Sequence, residues 1–87
     1  MPSQLNLESR MATKKLDWSA KAKGLLRAEL ARQDLSYGDL AKRLQAVGVK
    51  DNELNVKNKI GRGTFTAIFL LQCLKAIGVH TLHLNGD

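Results

Sequence analysis

The sequence predicts a small all-α domain of four to five helices, and two observations support this. A chain of 87 residues with 44% hydrophobic side chains can bury one hydrophobic core and no more. Its apolar residues recur every three to four positions, and polar caps and glycines separate the runs. Multidomain architectures and large α/β enzyme folds are therefore excluded.

The first two helices are predicted over residues 18–33 and from Ser36 to Gly48. Leu26 and Leu30 lie on one apolar stripe of the first helix. Ser36 and Asp39 have the spacing of a capping box, and Gly48 ends the second helix because glycine adopts positive φ without a Cβ clash.

Two further helices follow. Asp51 is predicted to cap a third helix, which runs through Ile60 and ends at the glycines of 61–63. Thr66 is predicted to cap a fourth helix over 67–77, which ends at Gly78. The tail, 79–84, has β-branched residues and partial alternation, which predict a short terminal strand, and Leu5 and Leu7 alternate similarly.

The net charge of +6 attracts polyanions such as nucleic acid, although many small basic proteins bind none. Cys73 is the only cysteine, so an internal disulfide is excluded and a reducing cytoplasm is the expected compartment. Without a run of eighteen apolar residues, no membrane association is expected.

Residues 35–44, LSYGDLAKRL, resemble the first helix of the helix-turn-helix in Cro/cI-type (Xre, lambda-repressor-like) regulators. Residues 60–63, IGRG, and 74–79, LKAIGV, resemble the end of the recognition helix and the helix after it. The chain also resembles small bacterial proteins of this pattern with no assigned activity. The resemblance implies a lambda-repressor-like DNA-binding domain over 16–87, preceded by a flexible basic arm over 1–15.

The chain departs from that family in two ways. The segment from Ala41 to Gly63 is several residues longer than the usual helix-turn-helix, so the second helix or its turn must be longer. Gly61 stands where the family usually carries glutamate, so the contact made by that carboxylate is absent here.

The third helix supplies a candidate DNA-reading face, because Asn55, Asn58, Lys59 and Arg62 fall at i, i+3, i+4 and i+7. Asparagine pairs with adenine, and lysine and arginine reach guanine or phosphates. A solvated face is the alternative, and the helix phase is open by one residue because Lys57 falls between apolar positions. The candidate DNA-binding residues are Ser36, Tyr37, Asn55, Lys57, Asn58, Lys59, Arg62 and Thr64.

Ser36 and Tyr37 begin the second helix, where free amides and hydroxyls suit a phosphate. Capping explains Ser36 equally well, and Tyr37 could instead cover the edge of the core. A basic run near the N-terminus could follow a DNA backbone, reach a minor groove or serve solubility. Its members are Lys14, Lys15, Lys21 and Lys23.

The fourth helix is apolar over more than one stripe, so it is either central or covered by a partner. We expect part of it, with Leu82 and Leu84, to form a homodimer, and Cys73 to be a small core residue.

No catalytic, cofactor or metal site is expected. His80 and His83 lack a third ligand, and the glycines at 61 and 63 match no nucleotide-binding motif. The preferred interpretation is a cytoplasmic Cro-like repressor that binds double-stranded DNA at an operator. The alternative is a helical protein-interaction module such as an antitoxin or adaptor.

Overall fold

The computed structural model describes residues 17–82 and Leu84. Its helices are α1 (Trp18–Arg32), α2 (Tyr37–Ala46), α3 (Glu53–Arg62) and α4 (Ala67–Ala76). No strand occurs among the described residues, and the predicted small all-α fold class is confirmed with four helices. α2 packs against α3 and α4, and α1 packs against α3. The predicted arm over 1–15 lies outside the described residues, as do Leu5 and Leu7.

Side-chain caps fix where α1 and α2 begin, because the first amides of a helix have no intrahelical acceptor. Asp17 caps α1 by accepting a hydrogen bond from the amide of Ala20. The predicted capping box of α2 is confirmed: the Ser36 hydroxyl accepts from the Asp39 amide at 3.0 Å, and the Asp39 carboxylate accepts from the Ser36 amide at 2.9 Å. Local sequence thus specifies both starts.

The cap of α3 was predicted one residue too early. Asn52, not Asp51, is the N-cap, and its side-chain oxygen accepts from the amide of Asn55 at 2.9 Å. The Asp51 carboxylate instead accepts from the Asn52 amide and from the ammonium of Lys59. The buried Asp51 carboxylate is therefore used in pairing with the half-buried Lys59, and the next residue caps the helix.

The start of α4 was predicted correctly, since Thr66 accepts from the amide of Phe69 at 3.0 Å. The helix ends at Ala76, one residue before the prediction, and Ile77 is its C-cap. The strand predicted over 79–84 is wrong for the described part of the tail. The amide of Val79 donates to Leu74 at the end of α4, and no neighbouring strand offers a ladder within the described residues.

One core lies between the four helices, and each helix contributes to it. Its fully or nearly fully buried members are Leu26, Leu30, Leu40, Ala41, Leu44, Val56, Ile60, Phe69, Cys73 and Ile77. Val56 and Ile60 were predicted to face the core, and both are completely buried. The expectation that Cys73 is a small core residue is likewise confirmed.

Gly63, the C-cap of α3, allows the end of this helix to pack closely against the start of α1. It has φ of +69°, and a Cβ atom at this position would overlap the backbone carbonyl of Ser19. Gly48 also has positive φ, +88°, but a Cβ there would meet nothing within 4 Å. The positive φ favours glycine at both positions, but only at Gly63 would a side chain also clash with a neighbouring backbone.

These two glycines make a matched pair for a stability measurement. We expect Gly48→Ala to lower the free energy of unfolding by about 1–2 kcal/mol, the cost of a left-handed alanine. Gly63→Ala adds a steric overlap with backbone, so we expect a loss of about 2–5 kcal/mol. Urea denaturation of both variants checks this, and equal losses would contradict the close approach of α3 to α1.

Candidate nucleic-acid interface

The outward face of α3 is formed by Leu54, Asn58 and Arg62, which are all exposed and fall at i, i+4 and i+8. Val56 and Ile60 occupy the opposite side and are completely buried. Of the four residues of the predicted face, Asn55, Asn58 and Arg62 are exposed, and the exposed surface of the helix also includes Leu54. This apolar residue is 65% exposed and was not among the predicted site residues.

Lys59 does not share the outward face. Its ammonium lies 2.8 Å from the Asp51 carboxylate and 4.9 Å from the centre of the Phe69 ring. A cation in this position interacts favourably with both the negative charge and the face of the aromatic ring. Lys59 therefore joins α3 to the connection before it and to α4, and the structure does not present it beside Asn58 and Arg62 as the sequence had indicated.

Asp51 is a buried charge, with only 3% of its side chain exposed. Burial by itself would raise the pKa of this carboxyl, but hydrogen bonds from Lys59 and the Asn52 amide, the charge of Lys59 and a hydrogen bond from the Asn55 side chain outweigh it, so the pKa lies below its ordinary value of 3.8. The backbone carbonyl of Asp51 also accepts from Gln45 of α2 at 2.8 Å. Hydrogen bonds from Gln45, Asn52 and Lys59 therefore all hold Asp51 in place within the connection from α2 to α3.

The other predicted residues of α3 differ in how free their side chains are. Asn58 is exposed and makes no side-chain hydrogen bond to any other described residue, whereas the Asn55 side chain is partly engaged with Asp51. Lys57 is exposed on the same helix. Thr64 is exposed too, but it follows the C-cap and so lies beyond the helix. Asn58 is thus the amide best placed to meet an external ligand.

The start of α2 is less suited to a phosphate than predicted. The amide and hydroxyl of Ser36 are both used within the capping box. A Cβ atom at Gly38 would lie 3.0 Å from the carboxylate of Glu53, so that acid lies beside the first turn of α2 together with Asp39. Two carboxylates repel an anion, and the capping alternative accounts for Ser36.

Two cations of α1, Lys23 and Arg27, are spaced i, i+4 and lie next to the candidate interface. Lys23 belongs to the basic run noted in the sequence, whereas Arg27 was not among the candidate residues. The guanidinium of Arg27 donates to the Tyr37 hydroxyl at 3.1 Å, which brings a positive charge to the start of α2. The ammonium of Lys23 donates to the carbonyl of Gly61 at 3.1 Å, near the end of α3. The i, i+4 spacing shows that Lys23 and Arg27 share one face of α1, but it does not show which other elements that face contacts.

α4 presents a separate, apolar surface. Ile68 and Leu71 are 69% and 66% exposed, while Phe69 and Cys73 of the same helix are buried. A shallow depression of about 300 Å³ adjoins this surface and is lined by Leu71, Leu74, Lys75, Val79, His80, Thr81 and Leu82. The prediction that the apolar surface of this helix exceeds what the domain can cover is therefore confirmed for Ile68 and Leu71.

Cys73 of the same helix is completely buried as a free thiol. Burial, and then the nearby charge of Asp51, raises the pKa of its thiol to about 12, so it is protonated at neutral pH. His80 is exposed and His83 lies outside the described residues. No group of three potential metal ligands occurs in the part of the chain that the structure describes.

The structure is a small helical domain in which α3 exposes a mainly polar face. The model of a family described as a domain of unknown function (DUF6471) matches residues 18–82, which span all four helices, so the chain belongs to that family. No curated protein and no solved structure matches the chain. None of the helices in the described residues is both long enough and apolar enough to cross a membrane.

The ion pair of Asp51 makes stability depend on pH in a definite direction. Because the folded pKa is below 3.8, the stabilisation is fully present above pH 3.8 and is lost as the pH falls through the folded pKa. We expect Asp51→Asn to lower the free energy of unfolding at pH 7 by about 1–3 kcal/mol. The difference from the wild type should shrink below pH 4, and urea titrations at pH 7 and pH 3 measure it. A difference that does not change between these pH values would contradict the pairing.

Proposed function

We propose that this protein is a sequence-specific double-stranded DNA-binding protein, and that it acts as a Cro-like repressor by occupying an operator and blocking polymerase. The observation that carries the proposal is the outward face of α3, where Asn58 and Arg62 are exposed. Asparagine offers paired donor and acceptor atoms to adenine, and arginine reaches guanine or phosphate. A helix of this kind, ten residues long, fits the major groove.

The order and packing of the helices support this assignment. α2 and α3 pack directly against each other, as the two helices of a helix-turn-helix do. The connection over residues 47–52 is longer than the three or four residues usual in that motif, in line with the extra length noted in the sequence. The contacts of Asp51 with Gln45 and Lys59 fix this longer connection.

Charge supplies the sequence-independent part of the proposed binding. The chain carries a net charge of +6, and Arg27, Lys57 and Arg62 are exposed on the helices around the interface. Contacts between such cations and phosphates position a protein on the duplex without reading its sequence. At the start of α2 we assign a phosphate contact to Tyr37. Its hydroxyl accepts from Arg27 and can still donate its own proton, and the charge of Arg27 opposes the repulsion from Asp39 and Glu53.

We assign the active form to a homodimer in the cytoplasm, joined through α4 and the segment after it. Exposed Ile68 and Leu71 leave apolar surface in contact with water, and a two-fold contact would bury the same patch on both chains. A dimer would also present two α3 helices to two half-sites of an operator.

The same apolar surface favours a second candidate function, a protein-interaction module such as an antitoxin or adaptor. In that case Ile68 and Leu71 would contact a different protein, and the polar face of α3 would remain solvated. The two functions differ in whether substitutions on α3 change the preference for DNA sequences.

Replacing Asn58 by Ala tests the DNA-binding function. Selection of bound fragments from random DNA should enrich a different base at one position, and affinity for the wild-type site should fall by about 1–3 kcal/mol. The fold should be retained because Asn58 is exposed, which circular dichroism checks. Replacing Lys14 and Lys15 by Ala is the contrast: it should weaken all sequences alike and reduce the salt dependence.

Two results would contradict the proposal. If neither the wild type nor Asn58→Ala enriches any sequence, the chain does not recognise DNA by sequence. If both enrich the same site with equal affinity, α3 does not read bases at Asn58, and the interaction-module function gains support.

The proposed dimer predicts a specific effect of charge on α4. Sedimentation at micromolar concentration should show a species of twice 9.6 kDa for the wild type and a monomer for Leu71→Asp, because a buried charge opposes association. Val47→Asp is the control, since Val47 is an exposed apolar residue at the end of α2 and should leave the dimer intact. A monomeric wild type would refute the assignment.

A further inference from the structure

Leu54 is the one large apolar side chain on the outward face of α3 in the described structure. It is the second residue of the helix and is 65% exposed, whereas Val56 and Ile60 are completely buried. Its neighbours one turn along, Lys57 and Asn58, are themselves exposed and polar, so the helix does not cover it. The core therefore gives no reason for leucine at this position.

The chemistry of the major groove offers a ligand for such a residue. Among the groups that base edges present there, the C5-methyl of thymine is the apolar one, and apolar side chains contact it. In helix-turn-helix proteins the residues at the N-terminal end of the recognition helix are those that contact base edges. Leu54 lies at this end of α3.

We propose that Leu54 is a specificity-determining residue that contacts the C5-methyl group of a thymine in the major groove. This inference rests on the proposed DNA-binding function and adds to it the base that the start of α3 selects. Leucine has no donor or acceptor, so it distinguishes thymine from cytosine by the methyl group alone.

The neighbouring amide is placed to complete the recognition. Asn58 is four residues further along, which corresponds to about 6 Å along the helix axis. Base pairs are spaced by about 3.4 Å, so the two side chains would meet base pairs one or two steps apart. The site should therefore hold a thymine and an adenine at this separation.

Deoxyuridine provides the test, because it differs from thymidine only in lacking the C5-methyl group. The wild-type site is first selected from random DNA, and each thymine in it is then replaced by deoxyuridine in turn. At one position of the half-site we expect wild-type affinity to fall about fourfold, the effect of losing one buried methyl group. Leu54→Ala should bind the thymine and uracil duplexes equally at that position.

Val47→Ala is the matched control, because Val47 is an exposed apolar residue that lies outside both α3 and the proposed dimer contact. This variant should keep the wild-type preference for thymine over uracil, whatever happens to its overall affinity. If wild type and Leu54→Ala respond alike to every deoxyuridine, this inference fails while the proposed function stands. If the wild type selects no DNA sequence, both fail together. Circular dichroism checks that Leu54→Ala is folded. The loss of wild-type affinity on replacing thymine by uracil is measured without any variant, so it tests the contact even if Leu54→Ala does not fold.

Discussion

The ion pair between Asp51 and Lys59 determines how α3 sits in this domain. A carboxylate that is 3% exposed needs a compensating charge, and the ammonium of Lys59 supplies it at 2.8 Å. Phe69 of α4 lies against the same ammonium, and Gln45 of α2 binds the backbone of Asp51. One polar contact thus joins α2, the connection, α3 and α4 at the edge of an otherwise apolar core.

The rotation of α3 follows from this contact. With Lys59 turned toward Asp51, and Val56 and Ile60 turned into the core, the remaining arc of the helix carries Leu54 and Asn58 outward. A ten-residue helix cannot pair the buried charge in another rotation without exposing Val56 and Ile60, its two buried apolar residues. The surface proposed to read DNA is therefore left exposed by the rotation that both pairs the charge of Asp51 and buries Val56 and Ile60.

The exposed surfaces of α3 and α4 differ in chemistry. The outward face of α3 is mainly polar, and Arg27 brings a further cation near the start of α2. The exposed part of α4, with Ile68 and Leu71, is apolar. A domain of this length cannot enclose every helix, so some apolar surface remains for association. Polar and apolar surfaces on separate helices suit a protein that binds a polyanion with one and a second chain with the other.

Sequence by itself determined the helices, because caps and terminating glycines act over three or four residues: the Ser36–Asp39 box, the Thr66 cap and Gly48 were all readable. It also indicated Asn58 and the excess apolar surface of α4. Tertiary structure decided the rest. The partners of Lys59, Lys23 and Arg27 lie eight to thirty-eight positions away along the chain, and helical periodicity carries no information about contacts between elements. For that reason the pairing of Lys59 with the buried Asp51, and the exposure of Leu54, became visible only in the tertiary structure.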